Sequence, residues 1–204
     1  MKDKCFENVE KMQNSLQNMD TLSSEELDKL SYLMLGEAAA EYRHSRKDFF
    51  TAEKTKNKVI EYITKYCNNT YVLRNLLGLM GFTATRFDDY DSRYYEFLMA
   101  NTNSSDNGVK RMISRFLPDF PQFETFENKW KYLLSIPFMP PKKDTIKTFY
   151  IEVKSRMGNI PEIYKNDVVK IFENYMLKND LHVSTKAKYE EIINKLKSSK
   201  NASA

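Results

Sequence analysis

Two histidines and two cysteines are the residues of this chain best suited to metal or nucleophilic chemistry. His44 and His182 are far apart in sequence, and neither Cys5 nor Cys67 belongs to a C-x-x-C pair. Because a zinc site needs three or four ligands, usually in closely spaced pairs, the sequence predicts no metal site. Cys67 falls on the apolar side of a predicted helix, which indicates a small buried residue rather than a nucleophile.

Three neighbouring aspartates, Asp88, Asp89 and Asp91, could supply oxygen ligands to a divalent cation. An EF-hand loop requires a glycine at its sixth position, but counting from Asp89 that position holds Tyr94. We therefore predict that the aspartates are charges at a helix N-terminus. The chain also lacks the G-x-x-x-x-G-K-[ST], G-x-S-x-G and H-E-x-x-H motifs. The sequence predicts a protein that is not an enzyme and uses no cofactor.

The stretch LSIPFMPPKKDTI, residues 134–146, contains three of the six prolines. Pro137, Pro140 and Lys142 match the P-x-x-P-x-K spacing of peptides that bind a partner as an extended proline helix. Such binding requires that Phe138 and its apolar neighbours be exposed, whereas their apolar character favours burial.

We predict instead that this stretch is a stiff joint between two helices. A residue that precedes proline avoids helical geometry, so the first helix should end near Ile136. The chain should then run extended through Pro141, and Asp144 or Thr145 should cap the helix that follows.

Apolar residues at helical spacing recur along the chain, whereas glycine is scarce and alternating β-branched runs are rare. Ser23 and Glu26 match a capping box at the start of a helix that we predict to run to about Arg46. Thr70 is predicted to cap another helix, which Gly81 should end in the left-handed conformation. These patterns predict an all-α fold, an irregular bundle of eight or nine helices.

The run Asn101–Gly108 consists of residues that favour turns, so we predict a connection between two closely packed helical subdomains there. The predicted organisation is an N-terminal arm or short helix, two subdomains, the polar loop between them and a disordered tail. In chain order, these cover residues 1–22, 23–100, 101–108, 109–197 and 198–204.

Composition places the chain among ordered proteins, because 41% of its residues are hydrophobic and its net charge is only +4. Residues 140–204 contain 13 lysines and arginines but 8 aspartates and glutamates, so the positive excess lies in the last third. The N-terminus has no apolar signal segment, and no run of apolar residues is long enough to span a bilayer. We expect an intracellular protein, cytoplasmic or nuclear, that contacts no membrane.

A protein partner is the first functional hypothesis. Ten methionines and 26 phenylalanines and tyrosines are more than a core of this size requires, and such residues are enriched at contact surfaces. The candidate interface residues lie beside the predicted loop and around the only tryptophan: Tyr94, Tyr95, Trp130, Phe138 and Met139.

Binding of DNA or RNA is the alternative hypothesis. Residues 56–80 are compatible with a helix-turn-helix whose second helix presents Tyr71, Arg74, Asn75 and Gly78. The basic helices of the last third could add phosphate contacts. The candidate residues for this function are Arg43, Arg46, Lys47, Arg74, Lys143, Lys147 and Lys154.

Overall fold

The fold is given by a computed structural model that describes residues 4–40 and 44–201, with side chains for 7–40 and 46–198. All regular secondary structure in these ranges is helical, which confirms the predicted all-α class. The same ranges contain eleven α-helices rather than the predicted eight or nine. Five short 3₁₀ turns supplement them.

The α-helices follow one another with short connections. Their bounds are α1 Lys4–Gln17, α2 Ser24–Ala39, α3 His44–Thr51, α4 Glu53–Tyr66, α5 Thr70–Phe87, α6 Ser92–Ala100, α7 Asn107–Phe116, α8 Lys129–Ser135, α9 Lys142–Ser155, α10 Glu162–Lys178 and α11 Val183–Asn201. The 3₁₀ turns are Met19–Thr21, Leu117–Asp119, Pro121–Thr125, Ile136–Phe138 and Met157–Asn159.

The chain divides into two compact units, residues 1–126 and residues 127–204. The first unit contains α1 to α7, and the second contains α8 to α11. The loop 101–108 leads from α6 into the first residues of α7, within the first unit. Its assignment as a connection between subdomains stays a prediction. The region 1–22 is helical from Lys4 onward, with α1 and a 3₁₀ turn.

Helix α5 is the centre of the first unit, because its apolar residues occur on every side of the helix. It lies between α2 and α7. On the α2 side, the buried amide of Asn75 donates to the Ser31 hydroxyl over 3.0 Å. On the α7 side, a Cβ added to Gly81 would overlap the ring of Phe116, so the glycine permits a close helix contact. The prediction that Gly81 ends this helix is therefore wrong.

The ends of α5 differ from the prediction as well. Asn69, rather than Thr70, is the N-cap, and its side chain accepts from the backbone amides of Tyr71 and Val72. The helix ends at Phe87, and Asp88 follows in the left-handed conformation with φ of 60°. A short asparagine or aspartate side chain tolerates this conformation better than most residues. The helix therefore continues to Phe87, well beyond the end predicted at Gly81.

Helix α2 begins as the sequence predicts, because Ser23 and Glu26 form the reciprocal capping box. It ends at Ala39, however, and Arg46 belongs to the separate helix α3. Arg46 donates from Nε to Glu37 of α2 over 2.6 Å, and both side chains are buried. This ion pair links α2 to α3, so the prediction of one continuous helix to about Arg46 is wrong.

Helix α6 begins at the aspartates. Asp91 is its N-cap and accepts from the backbone amide and the guanidinium of Arg93. Lys56 of α4 lies 3.2 Å from the same carboxylate. The hydrogen bonds from Arg93 hold the pKa of Asp91 down to about 2. The prediction that these aspartates serve a helix N-terminus is confirmed for Asp91.

The proline-rich run joins α8 to α9. Helix α8 ends at Ser135, as the sequence predicts, but Ile136–Phe138 form a 3₁₀ turn rather than extended chain. Neither Asp144 nor Thr145 caps α9, because Pro141 occupies the N-cap position. The Thr145 hydroxyl instead donates to the Met139 carbonyl over 2.8 Å.

The second unit has its own aromatic core. The rings of Phe149 on α9, Phe172 on α10 and Tyr189 on α11 are in contact, with centroids 5.2 and 4.9 Å apart along this series. Burial raises the pKa of Tyr189 to about 12. Helix α11 continues to Asn201, four residues into the predicted tail, and residues 202–204 lie outside the described ranges.

Candidate functional site

A groove in the second unit is a concave feature large enough to be a candidate site. It lies between α8, α9, α10 and the 3₁₀ turn Ile136–Phe138, and it has a volume of about 570 Å³. This volume falls within the usual range for ligand and peptide sites. Its apolar lining is formed by Leu134, Pro137, Phe138, Ile146, Ile171 and Tyr175.

Helix α10 provides one wall of the groove with a single face. Its polar lining residues recur at spacings of three and four, as one side of a helix requires. They are Asp167, Lys170, Asn174 and Lys178, and the following residue Asn179 completes that wall. Lys142 adds a third lysine from α9. The groove therefore combines an apolar floor with a polar rim.

Phe138 is the most informative residue of the site. The buried Pro137 holds the 3₁₀ turn in the core, whereas the adjacent ring of Phe138 is 69% exposed at the groove. Burial of a phenylalanine side chain stabilises a protein by about 1.5–3 kcal/mol, and the exposed ring of Phe138 does not contribute this stabilisation. An apolar ring that borders a concave surface is a feature of sites that a partner covers.

Two aliphatic residues of α10 extend this exposed apolar surface. Ile163 is 76% exposed, and Leu177 is 85% exposed. Ile163 precedes Asp167 by four residues, and Leu177 follows Lys170 by seven, so both lie on the groove side of α10. The apolar surface therefore continues along the helix beyond the groove itself.

The charge around the groove is mainly positive and is not neutralised locally. Within the described ranges, Lys142, Lys170 and Lys178 make no ion pair, and Asp167 is the one acidic residue of the lining. Other acids of this unit are engaged with cations elsewhere, such as Glu162 with its i+3 neighbour on the same helix. The groove thus presents lysine ammonium groups that can attract a negatively charged partner.

The predicted interface residues are distributed unevenly. Phe138 borders the groove, and Met139 beside it is half-buried. Trp130 is buried in the second unit, whereas Tyr94 is buried and Tyr95 half-buried in the first. Burial of Tyr94 and Trp130 removes them from the interface that we propose below.

The proline-rich run does not present an exposed P-x-x-P edge. Pro140 is exposed, but Pro137 is buried in the second unit. A partner that recognises an extended proline helix needs both rings, so this use of the run is not supported. The exposed Phe138, in contrast, shows that its expected burial is wrong.

The helix-turn-helix interpretation of residues 56–80 meets a steric obstacle. A recognition helix must protrude far enough to enter a major groove. Helix α5 is enclosed instead: Asn75 and Gly78, which the sequence predicted to be presented, are both buried. The turn between α4 and α5 is present, but Asn75 and Gly78 of its second helix are not available to enter a major groove.

The predicted nucleic-acid residues do not form one surface. Arg46 is committed to the buried ion pair with Glu37, and Arg43 lies outside the described residues. Lys47 is half-buried on α3, and Arg74 is half-buried on α5 with its guanidinium 5.0 Å from the Tyr71 ring. The remaining candidates, Lys143, Lys147 and Lys154, are exposed on α9.

The rare residues of the sequence form no reactive centre in the described part of the chain. Cys67 is exposed, so its predicted burial is wrong. His182 lies just before α11, and its Nδ1 accepts from the Ser184 amide over 3.3 Å. Among the described residues, no three His, Cys, Asp or Glu side chains are grouped to hold a metal ion.

Sequence reasoning missed the α10 wall of the groove, because its lysines are ordinary surface residues until α9 is placed against them. The one available signal was the polar stripe at three- and four-residue spacing. Within the described ranges, each helix is too short or too polar to cross a bilayer. Comparison of the chain with models of protein families, with curated proteins and with solved structures found no match.

Proposed function

We propose that this protein is a non-enzymatic binding protein whose second unit holds a short acidic, amphipathic helical segment of a partner protein. The observation that supports this proposal is the exposed Phe138 ring at the border of an apolar groove with a lysine rim. Amphipathic helices commonly bind to such grooves by apolar anchors spaced at i, i+3, i+4 and i+7.

The charges favour an acidic segment over a basic or neutral one. Lys142, Lys170 and Lys178 border the groove against the single carboxylate of Asp167. Aspartates and glutamates of the partner would meet these lysines, which would accelerate association and exclude basic partners. The apolar anchors of the segment would cover Phe138 and Ile171 and supply most of the affinity.

A displayed library of 16-residue peptides, screened against the full chain, tests this proposal. We expect selected peptides to carry apolar residues at helical spacing together with aspartate or glutamate. Their affinities are then measured by fluorescence anisotropy with purified peptides. Selection of no peptide, or of basic peptides only, would contradict the proposal.

Matched variants assign the binding to the groove. Phe138→Ala should weaken the selected peptides at least about tenfold, because truncation of a hot-spot anchor costs about 2 kcal/mol or more. Ile151→Ala removes another exposed apolar side chain, outside the groove lining, and should leave affinity unchanged.

Charge reversal gives a second, independent test. Lys170→Glu with Lys178→Glu should weaken acidic peptides and make their binding less dependent on salt. Lys188→Glu introduces the same change at an exposed position of α11 and serves as the control. Equal losses from both changes would indicate a general charge effect rather than a groove.

A further inference from the structure

A surface of the first unit carries a different set of groups. Helix α5 is buried over most of its length; Thr70, Tyr71, Thr85 and Arg86 are exposed, and Arg74 is half-buried. Both charged residues in this set are arginines. No aspartate or glutamate occurs in α5 or in α7, which packs beside it.

Helices α5 and α7 run in the same direction. Arg74 is the nearest side chain to a Cβ built on Gly108, at the start of α7, and Phe116, at the end of α7, lies against Gly81. Residues 75–84 of α5 are buried, so along the contact with α7 the exposed surface from Arg74 toward Arg86 is formed by α7. Arg74 and Arg86 are twelve residues apart, which corresponds to about 18 Å along the helix axis. About five stacked nucleotides, at about 3.4 Å each, span the same length.

The arginines of this edge are held on aromatic rings. The guanidinium carbons of Arg86 and Arg115 lie 5.3 and 4.9 Å from the centroid of the same Phe82 ring. They are therefore at most about 10 Å apart, and both residues are exposed. A ring contact orients a guanidinium without using its N–H donors. Nη1 of Arg86 donates to the Ala40 carbonyl over 2.9 Å, and the other donors of Arg86 are available to an anion.

Exposed tyrosines accompany the arginines. Tyr71 is 38% exposed beside Arg74, and Tyr32 of α2 is 64% exposed. Tyr32 lies between Asp28, which accepts a hydrogen bond from Asn69, and Leu35, which contacts Gly78. The i, i+4, i+7 spacing of residues 28, 32 and 35 places Tyr32 on the side of α2 that faces α5.

We propose that this arginine face, consisting of Arg74 and Arg86 of α5 and Arg115 of α7, binds a single-stranded nucleic acid. Guanidinium groups contact the phosphates, and Tyr32 and Tyr71 stack on bases. Alternating cations and aromatic rings suit a single strand, because every base has a stacking surface whatever its sequence. Asp88 and Asp106 cap the ends of α5 and α7, and Asp119 follows Arg115 by four residues.

The test uses the full chain and fluorescein-labelled 12-nucleotide probes of oligo(U), oligo(dT) and a double-stranded hairpin. Fluorescence anisotropy is measured at salt concentrations from about 25 to about 200 mM. We expect both single strands to bind more tightly than the hairpin, with affinity that falls as salt rises. The ratio of oligo(U) to oligo(dT) affinity distinguishes RNA from DNA. Absence of binding at the lowest salt concentration would overturn the proposal.

Two pairs of variants assign the surface. Arg86→Gln with Arg115→Gln should reduce the salt slope of log affinity by about 1.4, since each phosphate contact on a single strand contributes about 0.7. Arg86→Lys with Arg115→Lys should retain most of that slope. Circular dichroism and the thermal midpoint verify that each variant is folded. An unchanged slope in the folded glutamine variant would overturn the proposal.

Controls separate the arginine face from net charge and from other surfaces. Lys11→Gln with Lys54→Gln removes the same charge from α1 and α4 and should leave binding unchanged. Lys143→Gln with Lys147→Gln tests the lysines of α9; if these substitutions abolish binding while the arginine variants retain it, the assignment fails.

Stacking is tested separately from charge. Tyr71→Ala should weaken single-strand binding at least about fivefold without a change in salt slope, because stacking does not release counterions. Polyglutamate as competitor distinguishes a nucleic acid from an acidic protein segment. Equal competition by polyglutamate and by oligo(U) at matched charge would overturn the proposal.

Discussion

Helices α5 and α10 are nearly equal in length, with 18 and 17 residues, but differ in how much of each is covered. Thirteen residues of α5 are buried, whereas three residues of α10 are buried. Most residues of α5 are therefore constrained by packing against neighbouring helices. Helix α10 contributes only one side to the core, so its other side is exposed to solvent.

The same contrast applies to charge. In the first unit, Arg46 pairs with Glu37 of α2 and Asp91 pairs with Lys56 of α4, and both ion pairs link one helix to another. Around the groove of the second unit, the lysines of α9 and α10 border apolar residues without such partners in the described ranges. Paired charges contribute to folding, whereas unneutralised charges at an apolar surface are suited to recognition.

The test with the largest expected effect compares a leucine-to-alanine substitution in α5 with one in α10. Leu76→Ala in α5 removes a fully buried side chain and should lower the free energy of unfolding by about 2–5 kcal/mol. Leu177→Ala in α10 removes a side chain that is 85% exposed and should change it by less than about 0.5 kcal/mol. Urea unfolding followed by circular dichroism measures both values. Equal losses would contradict the contrast between the helices.

A second comparison concerns glycine. Gly81→Ala should destabilise the protein by about 1–3 kcal/mol, because its Cβ would overlap the Phe116 ring at the α5–α7 contact. Gly36→Ala in α2 meets no atom within 4 Å and should stabilise by about 0.5–1 kcal/mol. Thermal midpoints should therefore move in opposite directions. A stabilising Gly81→Ala would show that α5 and α7 are less tightly packed.

Acid titration tests the paired charges. The hydrogen bonds from Arg93 place the pKa of Asp91 at about 2, below the ordinary value of about 3.9. The resulting stabilisation, on the order of 2 kcal/mol, is present above about pH 4 and is lost as the pH falls through about 2.

Asp91→Asn should remove this contribution at neutral pH and flatten the loss of stability in acid. Urea midpoints at pH 7, 4 and 2 provide the measurement. Asp167→Asn at the groove rim is the control, with an expected change within about 0.5 kcal/mol at pH 7. If the urea midpoint of Asp91→Asn falls in acid as much as that of the wild type, the role assigned to Asp91 is refuted.

The smallest expected effect concerns the start of α2, the helix that covers one side of α5. Ser23→Ala removes the N-cap acceptor and should cost about 1 kcal/mol. The adjacent exposed Ser24 lies in the first turn, and Ser24→Ala should change stability by less than about 0.5 kcal/mol. Chemical denaturation of both variants distinguishes the cap from a general effect of alanine.

Local signals in the sequence identified several elements correctly. The capping box at Ser23 and Glu26, the break after α4 and the end of α8 near Ile136 depend on residues close together in the chain. The all-α class follows in the same way from spacing within each helix. Such features could be predicted because neighbouring residues determine them.

Errors occurred where a distant residue decides the structure. Gly81 suits either a helix end or a close contact, and Phe116, 35 positions later, determines which one is formed. Arg46 looked like an exposed cation until Glu37 was placed beside it on a separate helix. Phe138 looked like a core residue, but its surroundings depend on α10, more than 20 residues downstream.

Trp130, buried in α8, is the only tryptophan of the chain and belongs to the second unit. Its emission spectrum is therefore an intrinsic reporter of that unit, while far-ultraviolet ellipticity averages over both. If the two units melt independently, the two optical signals will give different midpoints, and coincident curves will indicate a single cooperative transition. No label has to be introduced to make this distinction.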